Sequence, residues 1–494
     1  MSRQLNVLLL SSEVEPFAKT GGLADVSSAL PKSIKSLDHE VRIMMPRYGS
    51  INERKARLHE MIRLKDIPVP LGKKQLLASV RSSFLNNSHS KIQVYFLDNH
   101  ALFGRSGLYV HPDTKKDYED NDARFTFFAR GVLEVLKRLG WQPDIIHCND
   151  WQTGLVPTYL KTIYKDDPFY RDTKTVFTVH NMAYQGVFPK SSFAKTGLPD
   201  TVLGENGIES NGQLNLLKAG LVYADAITTV SEGYAKEIQA SEEFGCGLQD
   251  VVKARKRDLT GILNGIDYAE WNPATDQTIP HKYDFKTLDL KSENKKALLQ
   301  HINLPFQDAV PLIGMVSRLA EQKGFDIIMD VFEAMMQLPI QVVVLGVGEK
   351  RYHDFFTKAQ KKYPEQVSAH LTFNGDLAHF IEAGSDMFLM ASRYEPCGLN
   401  QLYSLKYGAV PIVRATGGLE DTVEDYNPST GTGTGFKFTG YNGEELLKAV
   451  KRALETFADR VAWKKIIRNG MAKDFSWDSS ARKYLQLYRS LARA

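Results

Sequence analysis

The chain has 494 residues, a formal net charge of +4 and 43% hydrophobic residues. This length is too great for one hydrophobic core, so two globular domains are expected. The charge is spread through both halves, which argues against a nucleic-acid partner, and three cysteines cannot form a disulfide framework. No apolar run could span a membrane and no secretory signal is visible, so we expect a cytoplasmic protein without a membrane partner.

The first predicted unit is an apolar strand over residues 5–10, a loop that leads to Gly21-Gly22, and a helix that opens with residues 23–26 and is expected to end before Pro31. This is a Rossmann-type start, but a GxGxxG motif is absent, which argues against the usual dinucleotide site. Flexible glycines, a helix N-terminus and the Lys19 ammonium could together hold an anion. Taken alone, a loop lysine is more often simply solvated.

Strands over residues 41–45 and 93–97 follow, and alternating residues within 52–90 indicate hairpin strands between them. Residues 102–124 are poor in apolar periodicity and predict a loop. A helix is predicted over residues 125–139 from its apolar spacing.

The next strand runs from residue 144 into a polar tip that contains Asp150 and Trp151. His147 and Cys148 are adjacent, but no other cysteine or histidine lies at ligand spacing, so a metal site is discounted. The indole of Trp151 could serve equally as a sugar platform or as a core side chain.

Another strand, over residues 174–179, ends at His180 and Asn181. A single histidine at a strand end is usually structural. A helix over 216–224 and a strand over 226–230 complete the pattern of this half.

A second Rossmann-like half opens with a strand over residues 310–317. Arg318 and Lys323 follow it, about one helical turn apart at a predicted helix start, and two cations so placed suit a diphosphate. After the strand over 341–345 comes Phe373, for which a core position is the alternative to a ligand-binding one.

A buried strand over residues 387–391 leads to a polar loop with Glu395, then to a helix, a second buried strand and Thr416-Gly417-Gly418. Ligands bind beyond the carboxyl ends of such strands. A glycine pair admits an anion to backbone N–H groups, and a carboxylate accepts sugar hydroxyls, so this stretch suits a nucleotide sugar. A surface glutamate and a structural glycine turn explain it equally well.

These motifs, read together, closely resemble the bacterial glycogen synthases and plastid starch synthases. The resemblance rests on residues 393–399, 401–403 and 416–419, on Lys19 through Val26, and on the run from His180 to Gly186. Related retaining transferases carry a second glutamate eight residues after the first, whereas this chain has Tyr403 there, as the synthases do.

The resemblance implies an α/β protein of the GT-B fold, with two Rossmann-like domains facing across a cleft and a C-terminal helix that crosses back to the first domain. The expected acceptor-side domain is residues 1–260 plus the returning helix at 476–494. The expected nucleotide-sugar domain is residues 261–475.

The implied activity is transfer of glucose from ADP-glucose to the non-reducing end of glycogen or another α-1,4-glucan, with retention of configuration. No cofactor is implied, and with two cations at the phosphates a metal is not required. Family precedent favours front-face attack, with the leaving phosphate accepting the proton of the acceptor.

The resemblance also assigns roles to individual residues. The implied catalytic residues are Lys19, His180, Arg318, Lys323 and Glu395. The implied donor-binding residues are Lys19, Gly21, Gly22, Asn264, Arg318, Lys323, Phe373, Glu395, Cys397, Gly398, Leu399, Thr416, Gly417 and Gly418. The implied acceptor-side residues are Glu13, Asp25, Tyr109, Asp150, Trp151, His180 and Asn181.

Two other functions remain open from the sequence. One is a UDP-sugar-dependent transferase that makes a small saccharide, against which the lysine-glycine start and Tyr403 argue. The other is a non-catalytic glucan-binding protein, which would not need both Arg318 and Lys323.

Overall fold

A computed structural model describes residues 3–86 and 91–493. The chain divides into two units by its internal contacts. The first unit holds the chain up to residue 230, residues 235–265 and the end of the chain from residue 477. The second unit holds residues 231–234 and 266–476. The predicted hairpin region and the predicted domain limits include residues 1, 2, 87–90 and 494, which lie outside the described residues.

The strands of the first unit begin five residues into the chain. They are β1 (Asn6–Leu10), β2 (Glu40–Pro46), β3 (His59–Glu60), β4 (Ile67–Leu71), β5 (Lys74–Asn86), β6 (Lys91–Asp98), β7 (Ile145–Asn149), β8 (Lys174–Val179), β9 (Val187–Pro189), β10 (Glu209–Ser210), β11 (Gln213–Asn215), β12 (Ala226–Thr229) and β13 (Leu259–Gly261).

Helices alternate with these strands. They are α1 (Gly22–Ser36), α2 (His100–Phe103), α3 (Asn121–Leu139), α4 (Leu155–Lys161), α5 (Phe193–Thr196), α6 (Leu216–Tyr223), α7 (Glu232–Ala240), α8 (Glu242–Gly245) and α9 (Gln249–Ala254). Single 3₁₀ turns occupy Ile62–Leu64, Trp151–Thr153, Lys190–Ser192, Asp200–Val202 and, in the second unit, Glu321–Lys323.

The main sheet of the first unit has the strand order β13-β12-β8-β7-β1-β2-β6-β5-β3, and β4 pairs with β5. From β13 to β6 each neighbouring pair is parallel, whereas β5 runs antiparallel to β6, β4 and β3. The predicted hairpin strands therefore extend one edge of a Rossmann-like sheet. Its parallel part places the carboxyl ends of β1, β7 and β8 side by side.

Helix α1 does not end before Pro31, and the prediction that it does is wrong. The helix continues to Ser36, with Pro31 inside it and buried. Proline removes one backbone N–H, which disfavours a helix interior but does not forbid it. The packing of α1 against the last helix of the chain supplies tertiary contacts that outweigh this local cost.

The second unit repeats the alternation of strands and helices. Its strands are β14 (Leu312–Val316), β15 (Gln341–Leu345), β16 (Val367–His370), β17 (Met387–Met390), β18 (Val410–Arg414) and β19 (Phe436–Phe438). Its helices are α10 (Asp289–His301), α11 (Phe325–Met335), α12 (Lys350–Lys362), α13 (Gly375–Gly384), α14 (Asn400–Tyr407), α15 (Gly417–Thr422), α16 (Gly443–Ala458) and α17 (Arg460–Met471).

The sheet of the second unit has the order β16-β15-β14-β17-β18-β19, and each neighbouring pair is parallel. Successive residues of β15 enter different cores. Val342 and Val344 lie in the larger apolar cluster, and Val343 and Leu345 lie in a separate cluster with α10 and α13. A strand buried on both faces needs a continuous apolar run, which explains why β15 reads Val-Val-Val-Leu. The predicted class, α/β with two Rossmann-like halves, is confirmed.

The last helix, α18 (Trp477–Ala492), belongs to the first unit and packs against α1. The Tyr488 hydroxyl lies 2.7 Å from Nδ1 of His147 in β7, and Ser480 Oγ donates to the carbonyl of Leu263 at 2.6 Å. The predicted return of the C-terminal helix to the first domain is therefore confirmed. In the described part of the chain, no helix combines the length and the apolar character needed to cross a bilayer.

Candidate active site

Two loops of the second unit bring together residues that are far apart in the sequence. One loop follows β14 and carries Arg318 and Lys323, and the other follows β17 and carries Glu395. Because β14 and β17 are paired in the sheet, the two loops leave it side by side. Lys323 Nζ lies 2.6 Å from Glu395 Oε2. The residue predicted to bind phosphate and the residue predicted to bind sugar thus form an ion pair.

This ion pair is largely removed from water, with 19% of the Lys323 side chain and 7% of the Glu395 side chain exposed. Ser392 Oγ also donates to Glu395 Oε2, at 2.9 Å. Such partners are needed because an isolated buried carboxylate is costly. Within the described residues no donor reaches the other carboxylate oxygen, Oε1, so that oxygen can accept from a ligand hydroxyl.

Arg318 differs from Lys323 because its side chain is exposed and makes no hydrogen bond or ion pair with any described residue. Its backbone is held firmly, since Leu319 N donates to Val347 O at 2.9 Å and Ala320 N donates to the Arg318 carbonyl at 3.0 Å. Gly348 permits this close contact, because an added Cβ would lie 2.1 Å from Leu319 O. A free guanidinium on a fixed backbone is well suited to an incoming anion.

A pocket of about 190 Å³ lies where these loops leave the sheet. The predicted donor-binding residues in its wall are Arg318, Lys323, Glu395, Gly398 and Leu399. Its lining combines these charged side chains with apolar residues of β14, β17 and α11. A phosphate and a neutral polar group could both be bound there.

The loop with Glu395 packs directly against the predicted glycine turn. Gly418 N donates to the Glu395 carbonyl at 3.0 Å, and a Cβ on Gly418 would lie 2.0 Å from the buried Cys397 carbonyl. The expectation that Gly418 offers its N–H to a phosphate is therefore corrected, because that N–H is already used. Position 418 requires glycine because the contact between the two loops leaves no room for a Cβ atom. Thr416 is buried beside it, and Gly417 begins α15 with a positive φ of 46°.

Phe373 lies in the loop after β16 and is 88% exposed, which excludes the alternative of a core phenylalanine. The next residue, Asn374, caps α13 by accepting from Leu377 N at 3.0 Å, so the base of this loop is rigid. One strand, β15, separates β16 from β14, which corresponds to about 10 Å along the sheet edge. The exposed ring and the cationic loop therefore lie at separated points of the same edge.

In the first unit, the loop after β1 is organised around Glu13, which is buried. Its carboxylate accepts from Thr20 N at 2.5 Å, from Thr20 Oγ1 at 2.6 Å and from Gly21 N at 3.2 Å. The hydroxyl of Tyr109 lies 2.8 Å from Glu13 Oε1 and 2.6 Å from Ser12 Oγ. Burial raises the pKa of Tyr109 well above its ordinary value, so the hydroxyl stays protonated. Glu13 and Tyr109, both predicted site residues, are thus in direct contact.

The Lys19 ammonium lies 2.6 Å from Asp25 Oδ1, and both side chains are roughly half exposed. A Cβ added to Gly21 or Gly22 would meet open space, and no side chain caps the first turn of α1. Packing would therefore allow a side chain at either position, whereas it excludes one at Gly418. Asn264, a predicted donor-binding residue, is buried, and its Oδ1 finds no partner within the described chain.

Asp150 and His180 follow the adjacent strands β7 and β8, and Asp150 Oδ1 accepts from His180 N at 2.8 Å. Burial raises the pKa of Asp150 to about 7, against the lowering effect of the N–H groups of His180 and Asn181. Asp150 has φ of 55°, a strained value for a residue with a side chain and one that often marks functional sites.

The hydrogen bonds of His180 define which ring nitrogen carries its proton. Asn149 Nδ2 donates to the Leu10 carbonyl at 2.9 Å, so Asn149 Oδ1 must be the atom that faces His180 Nε2, at 2.9 Å. Nε2 is then the donor and Nδ1 is the unprotonated acceptor. Burial lowers the pKa of His180 to about 4, which keeps the ring neutral. A neutral ring with a free acceptor nitrogen can take a hydrogen bond from a sugar hydroxyl.

Trp151 is 9% exposed and packs among aromatic side chains. The ring centroid of Phe125 is 4.9 Å away and that of Phe188 is 5.8 Å away, and a Cβ on Gly186 would lie 2.3 Å from the indole. Of the two predicted roles, the structure therefore favours the core one. The neighbouring Tyr109 centroid, at 6.5 Å, links Trp151 to the Glu13 group.

Tyr403 occupies the position where related families have a second glutamate. Its ring stacks on Trp271 at 3.8 Å with an interplanar angle of 7°. The other face of Trp271 stacks on His379 at 3.7 Å. Position 403 is therefore used for aromatic packing in this chain and not for a second carboxylate.

The sequence did not single out three residues that support the site, namely Ser392, Asn149 and Gln401. Ser392 lies three positions before Glu395 and donates to its carboxylate. Asn149 ends β7, directly before Asp150, and its side chain bonds His180 on the neighbouring strand end. A polar residue at the end of a buried strand was the available signal. The described residues contain no group of three or more His, Cys, Asp or Glu side chains that could hold a metal ion.

Two family models and several known proteins match this chain. Residues 6–254 match the family model described as Starch synthase catalytic domain, and residues 299–470 match Glycosyl transferases group 1. The chain is 45% identical to a glycogen synthase of Desulforudis audaxviator, over 99% of this chain and 96% of that protein. It is 46% identical to a glycogen synthase of Koribacter versatilis, over 98% of each.

Solved structures extend the comparison to three dimensions. The catalytic domain of Starch Synthase IV from Arabidopsis thaliana, bound to ADP and acarbose, has a TM-score of 0.89 and 30% identity, with 100% of both chains covered. A sucrose-phosphate synthase from Thermosynechococcus elongatus has a TM-score of 0.58 at 17% identity, which shows a shared fold alone.

Proposed function

Because this chain belongs to the family of bacterial glycogen synthases and starch synthase catalytic domains, we propose that it transfers glucose from ADP-glucose to an α-1,4-glucan. The glucose is added at the non-reducing end, with retention of configuration. The ADP bound by the Arabidopsis relative supports an adenine nucleotide as the carrier of the sugar.

The observation that carries the proposal is the group of Arg318, Lys323 and Glu395 in one pocket of the second unit. ADP-glucose combines a diphosphate and a sugar, and this group combines two cations with a carboxylate. Arg318 and Lys323 bind the diphosphate, and Oε1 of Glu395 accepts from the hydroxyls of the donor glucose. Phe373 provides an exposed aromatic face for the base at a separate point of the sheet edge.

The chemical step requires stabilisation of the leaving group. As the bond between the sugar and the phosphate oxygen breaks, about one further negative charge collects on the terminal phosphate. Fixed cations in a pocket stabilise such a developing charge without reorganisation of solvent. Arg318 and Lys323 supply this stabilisation, so the reaction needs no metal ion as Lewis acid.

The residues of the first unit serve the sugar. Neutral His180 accepts a hydrogen bond at Nδ1 from a hydroxyl of the reacting glucose. Asp150, Asn181, Glu13, Tyr109 and Asp25 belong to the acceptor side. Lys19, Gly21, Gly22 and Asn264 assist in holding the donor. The leaving phosphate accepts the proton of the attacking glucan hydroxyl.

The test is a donor comparison with glycogen as acceptor, in which ADP or UDP release and chain elongation are measured. We expect kcat/KM for ADP-glucose to exceed that for UDP-glucose by a wide margin, and the product linkage to have the α configuration by NMR. Equal values for both donors, or products made only from small sugars, would indicate the UDP-sugar transferase instead. Glycogen binding without any nucleotide release would indicate a glucan-binding protein.

A further inference from the structure

Gln401 lies in the first turn of α14 and is completely buried. Its Nε2 donates to the carbonyls of Cys397 and Gly398, at 3.0 Å each, and to Thr422 Oγ1 at 3.2 Å. One side-chain amide therefore holds both carbonyls of the turn that follows Glu395. Gln401 is one of the residues that carry the family resemblance, but no role was predicted for it from the sequence.

Thr422, in α15, continues this network to the glycine turn. Its Oγ1 donates to the Gly418 carbonyl at 2.6 Å, and Gly418 N donates to the Glu395 carbonyl at 3.0 Å. Hydrogen bonds thus run from Glu395 to Gly418, through Thr422 to Gln401, and back to the Glu395 loop. The circuit holds the backbone from the Glu395 carbonyl to the Gly398 carbonyl.

The orientation of the Gln401 amide is determined by its neighbours. Three acceptor atoms surround Nε2, so a flipped amide would place its oxygen against two carbonyl oxygens. Gly398 has φ of 71°, and a Cβ there would lie 2.4 Å from Gln401 Oε1. The conformation of the loop at Gly398 therefore depends on close contact with this amide. Hydrogen bonds in a buried network are strong and rigidify the groups that they join.

We propose that Gln401, together with Thr422, is a positioning residue for the reaction: it fixes the Glu395–Gly398 loop so that the Glu395 carboxylate is set against Lys323 in the donor pocket. Gln401 does not line that pocket, so it acts through the loop. The proposal rests on the proposed function for the chemistry that it serves, whereas the hydrogen-bond circuit stands on the geometry alone.

A purely structural role for Gln401 can be separated from this one by a matched residue. Gln341, at the start of β15, is also buried, and its Nε2 donates to the carbonyls of Pro305 and Glu365 at 2.8 and 3.1 Å. The Oε1 atom of both glutamines has no partner among the described residues. Gln341 lies at the amino end of its strand, whereas the pocket lies at the carboxyl ends of the strands. It therefore matches Gln401 in burial and hydrogen bonding but is remote from the pocket.

The experiment compares Gln401→Met with Gln341→Met, since methionine keeps the shape and removes the amide. We expect both variants to melt at a lower temperature than the wild type by similar amounts. Only Gln401→Met should lose kcat, by about 10²-fold as for a misplaced catalytic group, with a smaller change in KM for ADP-glucose. Thr422→Val should lower kcat as Gln401→Met does. Thr422→Ser, which keeps the hydroxyl, should retain the wild-type kcat.

A second measurement does not depend on activity. Hydrogen exchange of the Gly418 amide, which is bonded to the Glu395 carbonyl, should accelerate in Gln401→Met and not in Gln341→Met. If both glutamine variants lose the same share of kcat and the Gly418 amide stays protected, the positioning role is refuted. If the wild type itself transfers no glucose, the proposed function fails, and the exchange result still decides whether Gln401 holds the loop.

Discussion

The two units hold their site residues by different physical means. In the second unit, charged groups predominate: Lys323 and Glu395 form an ion pair, and Arg318 is exposed without a partner among the described residues. In the first unit, Glu13, Tyr109, Asp150 and His180 are held by hydrogen bonds, and burial keeps His180 neutral, whereas Lys19 and Asp25 form a partly exposed ion pair.

The difference follows from what each unit is proposed to bind. A diphosphate that gains charge during the reaction is best stabilised by fixed cations. Sugar hydroxyls are neutral, and they are recognised by donors and acceptors whose positions are rigid. A charged group buried without a partner would be costly in the first unit, whereas an exposed guanidinium costs the second unit little. Substitutions that remove single groups from either unit therefore test this contrast.

The largest effect should come from the cations of the second unit. Arg318→Ala and Lys323→Ala should each lower kcat by about 10²–10³-fold, because removing one group that stabilises the transition state typically costs roughly 3–4 kcal/mol. KM for ADP-glucose should rise much less, and the double variant should lose less than the product of both effects. Steady-state kinetics of the three variants provide the measurement. A near-wild-type kcat in either single variant would show that the cations only bind the ground state.

Stability should separate the same two cations. Lys323→Ala leaves the buried Glu395 carboxylate without its cation, and it should cost about 2–3 kcal/mol, between the values for surface and buried ion pairs. Arg318→Ala should leave the melting temperature unchanged, because its side chain has no partner among the described residues. Thermal melts without ligand check this, and equal melting temperatures for the two variants would contradict it.

Phe373→Ala should weaken donor binding without changing stability. Stacking of a base on an aromatic ring is worth about 1–3 kcal/mol, so KM for ADP-glucose should rise roughly 5-fold to 160-fold. The ring is 88% exposed, so the melting temperature should remain as in the wild type. Phe373→Tyr is the matched control and should retain donor binding. An unchanged KM in Phe373→Ala would remove Phe373 from the donor site.

The buried histidines of the first unit should make it sensitive to acid. Burial lowers the pKa of His147 to about 3 and that of His180 to about 4, both below the ordinary value of 6.5. The unfolded chain therefore binds protons between pH 6.5 and about 4 that the folded chain does not. The contribution of these histidines to the free energy of unfolding should fall as pH drops through this range, by about 1.4 kcal/mol per pH unit for each histidine. Asp150, whose pKa is raised to about 7, contributes in the opposite sense, so the histidine contribution is isolated by substitution.

Replacing one of these histidines should reduce that slope. His147→Gln removes a titrating group while keeping a polar side chain near Thr178 and Tyr488, so the slope should flatten by about 1.4 kcal/mol per pH unit. Urea unfolding of wild type and variant at pH 5 and pH 7 supplies the comparison. Identical slopes would show that His147 is not the group that titrates.

The smallest effect should be that of metal removal. Because two fixed cations are proposed to carry the charge of the leaving diphosphate, EDTA should leave kcat unchanged within error. Activity lost in EDTA and regained with Mg²⁺ would mean that the second unit does not stabilise the diphosphate by its own side chains.

The sequence alone was sufficient to predict those strands and loops that are specified by residues adjacent in the chain. The strand over residues 174–179 and the strand over 341–345 were predicted with their observed limits, because a strand buried on both faces reads as a continuous apolar run. The loops beyond strand ends were likewise identified, since parallel strands place their polar tips at one edge. The family and its fold followed from motifs that are contiguous in the chain.

Tertiary structure decided what depends on contacts between distant segments. Local rules end a helix at proline, yet α1 continues through Pro31, since α18, more than 400 residues away, packs against it. The ion pair of Lys323 and Glu395 spans 72 residues, and the packing that makes Gly418 a glycine comes from the Cys397 carbonyl. The exposure of Phe373 and the burial of Trp151 were likewise open, because a side chain's surroundings are fixed only when the whole chain has folded around it.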